Sequence, residues 1–226
     1  MELGDGLSEP HGEGRYFIGS FLTEPDGTFS ADVTVPPAIP LSSGDDVTGT
    51  ATNAAGNTSE FGAHGSVVAA IPNIVLVKSA QTFSDPVNGE ANPKAIPGAR
   101  ADYTVLATNQ GPGATDTNTV MLTDSIPQNA ILFVGDIDGP GSGPILFTDG
   151  ATPSGLSYTF TSLDSTTDDV EFSDDNGASF DYEPEPDANG FDADVTDFRV
   201  LPKGSFDASD GVNDPSFLIA FRIAVE

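Results

Sequence analysis

Residues 98–127 carry the feature that most constrains the fold, two β-rich runs on either side of a tight turn. In the first run, residues 101–107, Tyr103 and Val105 alternate with the polar residues Asp102 and Thr104. This period of two residues is typical of a half-buried strand. A turn with the sequence N-Q-G-P-G separates the first run from the second run, residues 119–123. The stretch therefore predicts β-structure.

Residues that break helices are spread along the whole chain of 226 residues, which has 25 Gly and 18 Pro. No stretch shows apolar residues at i, i+3, i+4 and i+7, the pattern of an amphipathic helix. The length suits one large or two ordinary domains. We therefore predict an all-β chain made of two tandem immunoglobulin-like β-sandwich domains.

The domain boundaries follow from the strand-like runs and the interruptions between them. We predict a first domain at residues 1–66, a linker at 67–73 and a larger domain at 74–226. Strands are expected in the first domain at residues 15–23, 27–35 and 46–53. In the larger domain they are expected at residues 74–79, 101–107, 119–123, 130–134, 145–148, 156–163, 169–173, 180–182, 194–201 and 217–225. Short strands at regular intervals favour a sandwich over a propeller.

Two sequence patterns resemble known families. Between Gly98 and Pro127, the motifs G-x-x-x-D-Y-T, T-N-x-G-P and T-D-x-I-P resemble a repeat domain of unknown function found in secreted and cell-surface proteins of bacteria. This resemblance implies a β-sandwich module of a long extracellular chain, without catalytic residues. Residues 12–61, ending in G-N-T-S-E-F, look like an immunoglobulin-like module of adhesin-type surface proteins. In that module one or two strands precede the position of Met1, so the first domain is expected to lack its N-terminal strand or strands.

The charge balance excludes several classes of partner. The chain has 35 Asp and Glu against 7 Lys and Arg, a net charge of −28, with no basic residue between Arg100 and Arg199. Such a chain repels phosphate backbones and anionic lipids, so we expect neither nucleic-acid binding nor membrane binding. The most apolar stretch, residues 67–77, is too short to span a bilayer, so no membrane insertion is expected. Screening by a salty environment or neutralisation by divalent cations would offset the repulsion.

Clustered aspartates make calcium the one cofactor that we consider. The candidate ligands are Asp187, Asp192, Asp194 and Asp197, which lie close together around Gly190. Calcium takes six to eight oxygen ligands, which Asp-rich loops can supply. Residues 136–139 resemble the start of an EF-hand loop but lack its bidentate Glu. The alternative interpretation is that these aspartates cap turns and keep the surface solvated.

Residues 173–180, S-D-D-N-G-A-S-F, resemble an Asp-box. In families that carry this motif the hairpin is structural: the Asp side chain caps amides of the turn and the aromatic residue enters the core. We therefore expect Asp175 to accept hydrogen bonds from turn amides and Phe180 to be buried. A single box does not indicate glycan cleavage.

Catalytic residues are not predicted. The chain has no Cys and no H-E-x-x-H pattern, and its two histidines, His11 and His64, lie in Gly-rich loops. Together with the two resemblances, which imply a bacterial surface protein, this leads us to expect a non-enzymatic structural or adhesive module, extracellular and at a bacterial cell surface. The absence of Cys allows an exported location. The alternative is a carbohydrate-binding module of a secreted enzyme, which would need exposed planar aromatics. The chain has no Trp, and its tyrosines occupy core-like strand positions, namely Tyr16, Tyr103, Tyr158 and Tyr182.

The C-terminal strand leaves two interpretations open. One face of this strand is apolar and consists of Phe217, Ile219, Phe221, Ile223 and Val225. The strand completes the sheet of its own domain, or it fills the open sheet edge expected in the first domain of a second copy. The latter is a head-to-tail strand addition that builds a filament, as in a fimbrium. The expected partners are thus other copies of the chain or neighbouring domains of a longer surface chain.

Overall fold

A computed structural model describes residues 14–23, 33, 35, 38–39 and 41–226. The chain divides into two compact units, Met1–Ala69 and Ala70–Glu226. This division falls inside the segment that we expected to be a linker, residues 67–73. All strands of the described ranges pair antiparallel, and no helix occurs in them. The all-β prediction is therefore confirmed.

The first unit contains a short ladder, in which β1 (Asp46–Val47) pairs with β2 (Gly65–Ser66). The expected strand at residues 46–53 is regular only at its start; further along, backbone bonds such as that from the Ser59 N–H to the Ala51 carbonyl, at 2.9 Å, are mixed with side-chain bonds. The Ala51 N–H donates to the Ser59 hydroxyl at 2.9 Å. The described residues 15–23 form no strand, contrary to our prediction. The strand expected at residues 27–35 lies, apart from residues 33 and 35, outside the described residues.

The described part of the second unit forms two principal sheets. Its strands are β3 (Ile74–Ser84), β4 (Arg100–Asn109), β5 (Leu122–Ser125), β6 (Ala130–Phe133), β7 (Leu146–Asp149), β8 (Leu156–Ser157), β9 (Val170–Ser173), β10 (Phe191–Asp192), β11 (Asp197–Val200), β12 (Lys203–Gly204) and β13 (Ser216–Val225). The large sheet has the order β10-β6-β13-β4-β3, with β7 also paired to β13. The small sheet has the order β5-β11-β9, and β12 pairs with β8.

The core lies between these two sheets and is rich in phenylalanine. Phe198 of the small sheet meets Phe221 of the large sheet edge-on, with ring centroids 4.9 Å apart. Phe217 stacks on Phe147 at 5.0 Å and contacts Phe206 at 5.3 Å. Rings contributed from both sheets interlock, as in sheet-on-sheet packing. This arrangement is consistent with a β-sandwich.

The alternating patterns of the two longest core strands are confirmed. Val105 and Ala107 of β4 are buried, as are Phe217, Ile219 and Phe221 of β13. β4 and β13 pair along nearly their full length. They lie side by side at the centre of the large sheet, so one face of each contributes to the same core.

Several strand boundaries differ from the prediction, and aspartate side chains explain the largest difference. The strand expected at residues 156–163 ends at Ser157. Beyond that point Asp169 accepts the Thr159 N–H at 2.8 Å, and Asp168 accepts the Thr161 N–H at 2.7 Å. The carboxylates replace the carbonyl groups that a neighbouring strand would have supplied.

Other boundaries also shift. The strand expected at residues 119–123 is observed at Leu122–Ser125, and the one expected at 194–201 is shorter, at Asp197–Val200. The strand expected at residues 180–182 is only an isolated bridge between Phe172 and Tyr182. The short strands β10 and β12 were not predicted. Both have two residues, too few to show a period.

Candidate functional site

The edge strand β3 is the most unusual surface feature of the second unit. β3 has 11 residues, and among the residues that the structure describes it pairs only with β4. Its first four residues are apolar and exposed, with exposed fractions of 41% for Ile74, 36% for Val75, 57% for Leu76 and 57% for Val77. Long apolar edge strands are sites where another strand can add to a sheet.

The backbone N–H and C=O groups of successive β3 residues point alternately toward the neighbouring strand β4 and toward the open edge. Asn109, opposite Ile74, donates its N–H to the Pro215 carbonyl, away from β3. The next residue, Gln110, donates to the Asn73 carbonyl at 2.9 Å. Hydrogen-bonded and non-hydrogen-bonded pairs alternate along an antiparallel ladder. Every second residue of β3 starting at Ile74 therefore directs its N–H and C=O groups toward the open edge.

Lys78 contributes the only charged side chain of β3. Its Nζ lies 2.6 Å from Asp124 Oδ1 of β5. It also lies 5.0 Å from the Tyr103 ring centroid and 5.4 Å from the Phe221 ring centroid. Lys78 is thus turned toward the space between the two sheets, where it ties β3 to β5.

The outer face of the large sheet near β3 is uncharged. Val77 pairs with Leu106, which pairs in turn with Leu218, so the three side chains share this face. The charged pair of this face, Asp102 and Arg222, lies nearer the other end of the strands and is bidentate, at 2.7 and 3.1 Å. An uncharged surface of this kind contrasts with the net charge of −28.

The T-N-x-G-P motif encloses a fully buried side chain, that of Asn109. Its Oδ1 accepts the N–H groups of Asn73 and Gly111, each at 3.0 Å. Its Nδ2 donates to the carbonyls of Gly113 and Asp207, each at 2.8 Å. All four hydrogen-bonding positions of the amide are used. Asn109 therefore joins the start of β3, the turn after β4 and the loop before β13.

The four calcium candidates lie in loops and short strands. Three of them, Asp187, Asp192 and Asp197, accept hydrogen bonds from nearby N–H or O–H groups. Asp187 Oδ1 accepts the N–H groups of Asn189 and Phe191. Asp192 accepts the Glu185 N–H at 2.7 Å, the Tyr182 hydroxyl at 3.0 Å and the Asp194 N–H at 2.8 Å. Asp197 accepts the Ser125 hydroxyl, and the Asp194 side chain is exposed. These contacts suit the turn-capping interpretation.

In the described ranges, no group of three or more His, Cys, Asp or Glu side chains has a geometry that could hold a metal ion. In the EF-hand-like segment, Asp136 accepts the N–H groups of Gly141 and Gly143, each at 2.9 Å. These two bonds lower the pKa of Asp136 below its ordinary value because they stabilise the ionised form. The bond from the Gly141 N–H has the larger effect. Calcium binding stays a prediction.

The Asp-box hairpin is confirmed as a capped turn. Asp175 accepts the Ser179 N–H at 2.9 Å and the Ser173 hydroxyl at 2.8 Å. These bonds lower the pKa of Asp175, and the bond from the Ser179 N–H has the largest effect. The prediction for Phe180 was wrong in part, since its ring is only half-buried. The Arg199 guanidinium covers that ring at 4.4 Å from its centroid, a cation–π contact that replaces burial in the core.

The five strand-addition candidates, Phe217, Ile219, Phe221, Ile223 and Val225, all lie in β13. This strand pairs with β4 on one side and with β6 and β7 on the other. The structure thus shows the arrangement in which the strand completes the sheet of its own domain. In the donor arrangement, β13 would have to leave all three of these partners.

The tyrosines fall into two groups. Tyr103, Tyr158 and Tyr182 pack against the core. Burial, followed by the nearby Asp168 and Asp169 carboxylates, raises the pKa of Tyr158. The prediction for Tyr16 was wrong: it is 44% exposed, and the neighbouring Phe17 is 77% exposed.

His64 Nδ1 lies 3.6 Å from Asp46 Oδ2, and His11 lies outside the described residues.

Comparisons of the chain with family models, with curated protein sequences and with solved structures gave no match. A search of the described residues for a helix long and apolar enough to cross a bilayer likewise found none.

Proposed function

We propose that the chain is a non-enzymatic structural or adhesive module of an extracellular protein of a bacterial surface. In this proposal it consists of two immunoglobulin-like sandwiches in tandem, and it transmits tension between the segments on either side. Its partners are neighbouring domains of a longer surface chain or other copies of itself. The resemblance of residues 98–127 to a surface repeat domain is part of this proposal.

The order and direction of three long strands carry the proposal. β3 and β13 lie on either side of β4, and each is antiparallel to it. β3 and β13 are therefore parallel to each other. The start of β3 and the end of β13 lie at opposite ends of the sheet, about 33 Å apart for ten residues of strand. Tension between these two ends pulls along the strands, so the ladders are loaded in shear and their hydrogen bonds must break together.

The test is to pull single molecules in two directions that share one attachment point. The chain has no Cys, so introduced cysteines provide unique handles. The shear pair is Ile71→Cys with Glu226→Cys. The control pair is Ile71→Cys with Val212→Cys, because exposed Val212 precedes β13 and lies toward the end of the sheet where β3 starts.

We expect the second unit to unfold at a clearly higher force with the shear pair than with the control pair. In the control direction the ladder bonds break one after another, so the unfolding rate under force is faster. Equal unfolding forces in the two directions would contradict a tension-bearing role. Each variant is first checked by thermal melting, so that a damaged fold is not read as mechanical weakness.

The alternative function, a carbohydrate-binding accessory module, is favoured by one observation, the exposed rings of Tyr16 and Phe17. Planar exposed aromatics can stack on sugar rings through their apolar faces. A glycan array probed with the wild type and with Tyr16→Ala plus Phe17→Ala tests it. Sugar binding that disappears in the double variant would support the alternative, and no binding by the wild type would exclude it for the glycans used.

A further inference from the structure

We propose that the first eight residues of β3, residues 74–81, form a strap that opens and closes while the second unit stays folded. In the open state the strap leaves β4, and the rest of the large sheet remains paired. This inference goes beyond the proposed function, because the opening needs neither tension nor a partner molecule. The strap thereby sets whether the large sheet ends at β3 or at β4.

The strap contributes little to the core. All eight of its side chains are exposed, whereas β4 buries Ala101, Val105, Ala107 and Asn109. The strap is therefore held mainly by its ladder of backbone hydrogen bonds to β4 and by a few side-chain contacts. Segments with few buried apolar contacts open at a lower free energy than the whole domain unfolds.

The two ends of the strap differ, and the end after residue 81 is the fixed one. The register of the ladder is irregular between Thr82 and Ser84. Burial begins at the same point: the Arg222 guanidinium lies 4.4 Å from the Phe83 ring centroid. Asp85 is 5% exposed and accepts three backbone N–H groups. The irregular register is therefore the hinge, and the strap opens from its start.

Two side-chain contacts hold the strap closed. The Asn73 N–H donates to Asn109 Oδ1 at 3.0 Å, and Lys78 Nζ lies 2.6 Å from Asp124 Oδ1. Lys78 is the only charged residue of β3, so opening moves a positive charge away from a chain whose net charge is −28. Salt screens this attraction, and at 1 M the screening length is about 3 Å. High salt therefore favours the open state.

Hydrogen exchange of single amides in β4 tests the opening directly. The Asn109 N–H points toward β13, and hydrogen-bonded pairs alternate along an antiparallel ladder. The N–H groups of Val105 and Ala107 therefore also point toward β13, and those of Thr104 and Leu106 point toward the strap.

The measurement uses NMR on the full chain, with each exchange rate divided by the intrinsic rate of that residue. We expect Thr104 and Leu106 to exchange about 100-fold faster than Val105 and Ala107, since only the former pair is released when the strap opens. Equal protection of the two pairs would overturn the inference, because it would mean that β3 and β13 leave β4 together.

A disulfide that ties the strap to β4 provides a control within one variant. Val77 and Leu106 are opposite each other and both are exposed. As a hydrogen-bonded pair their Cα atoms are about 5.5 Å apart, within the range of about 4.4–6.8 Å that suits a disulfide. In Val77→Cys plus Leu106→Cys, oxidation should slow the exchange of Thr104 to that of Val105, and reduction should restore it. Fast exchange of Thr104 in the oxidised form would contradict the strap.

Salt and the Lys78 contact separate opening of the strap from global unfolding. Unfolding relieves repulsion among carboxylates, so 1 M NaCl should increase the protection of Val105 while it decreases that of Thr104. Lys78→Met should decrease the protection of Thr104 about tenfold. Lys94→Met removes the same charge from an exposed position outside the strap and should leave Thr104 unchanged.

Protection of Thr104 that rises with salt in parallel with Val105 would overturn the inference, as would equal effects of the two lysine variants on Thr104. No load is applied in any of these measurements. A failure here would therefore leave the pulling experiment unaffected, and the two proposals are separable.

Discussion

At the residue scale, the motif positions between residues 98 and 127 are explained by contacts that tie the strands together. Tyr103 of D-Y-T stacks on Phe221 with centroids 5.3 Å apart, and Thr104 shares a hydrogen bond of 2.7 Å with Ser79. Asp124 of T-D-x-I-P holds Lys78. These three motif residues thus have partners on other strands. The sequence pattern predicted strands here, but it did not reveal these partners, because they come from distant segments.

Asn109 is the residue whose replacement should be most damaging. Asn109→Ala leaves the N–H groups of Asn73 and Gly111 and the carbonyls of Gly113 and Asp207 without this partner. We expect the free energy of unfolding to fall by about 3 kcal/mol, since buried polar groups without partners are costly. Urea unfolding measures the change. Asn129→Ala, at an exposed position, should have little effect.

Asn109→Asp provides a sharper version of the same prediction. The variant keeps the volume of the side chain, but an oxygen would face the Gly113 and Asp207 carbonyls where the amide nitrogen donates. We expect a loss of stability comparable to that of Asn109→Ala. A fully stable Asn109→Asp variant would show that the role of the amide is mainly to fill space.

Asp85 should make stability depend on pH in a defined range. Its carboxylate accepts the N–H groups of Asn88, Val87 and Lys94. The bond from the Asn88 N–H, followed by that from the Asn88 side chain, lowers the pKa from 3.8 to about 2. A lowered pKa in the folded state means that the stabilising contribution is complete above pH 3.8 and is lost as the pH falls toward 2.

The corresponding measurement compares the wild type with Asp85→Asn by urea unfolding at several pH values. The difference in the free energy of unfolding should be constant above about pH 4 and should shrink between pH 4 and 2. Asp116→Asn, at an exposed position, removes the same charge. A difference for Asp85→Asn that does not change with pH would contradict the assignment.

At the element scale, the long strands could be predicted from the sequence and the short ones could not. Alternation identified the core faces of β4 and β13, because ten residues show a period of two clearly. β3 is a different case: only residues 74–79 were predicted, yet the strand continues to Ser84. Its exposed apolar run looks like a buried strand in the sequence. The edge position of β3 follows from pairing between distant segments, which local pattern does not contain.

The turn between β4 and the segment before β5 depends on close approach of two backbones. The Gly113 N–H donates to the Ile71 carbonyl at 3.2 Å, and a Cβ atom added at Gly113 would lie 2.7 Å from the Ile71 carbonyl carbon. A Cβ atom at Gly111 would lie 2.7 Å from the Pro72 carbonyl carbon. The glycines of the T-N-x-G-P-G turn are therefore required for space.

Gly113→Ala should destabilise the second unit, because the chain before β3 would have to move away from the turn. We expect a loss of about 1–3 kcal/mol, the usual range for overpacking, measured by thermal or urea unfolding. Gln110→Ala changes an exposed residue of the same turn and serves as the control. If both variants melt at the same temperature as the wild type, the close approach of the two backbones does not contribute to stability.

At the scale of the whole molecule, repulsion among carboxylates opposes folding. With a net charge of −28, the compact state gains stability when the charges are screened. We expect the melting temperature to rise by about 5 °C between low salt and 1 M NaCl. A melting temperature that is independent of salt would mean that local hydrogen bonds to the carboxylates already offset the repulsion.

The calcium prediction is tested by the same titration. If calcium is bound, CaCl₂ should raise the melting temperature more than NaCl of equal ionic strength, and chelation should reverse this extra increase. The variant Asp187→Asn plus Asp194→Asn should remove it. Identical melting curves in the two salts would contradict calcium binding.

The two edges of the large sheet differ greatly in length, and this limits how far the sheet can grow. On one side the edge is β3, with 11 residues, whereas on the other the described strands at the margin are β10, with two residues, and β7, with four. Continuous growth needs a long open edge on both sides of each sheet, and the described strands provide one only at β3. Growth by sheet extension is therefore self-terminating, so fibrillar polymers of the amyloid kind are not expected from this edge.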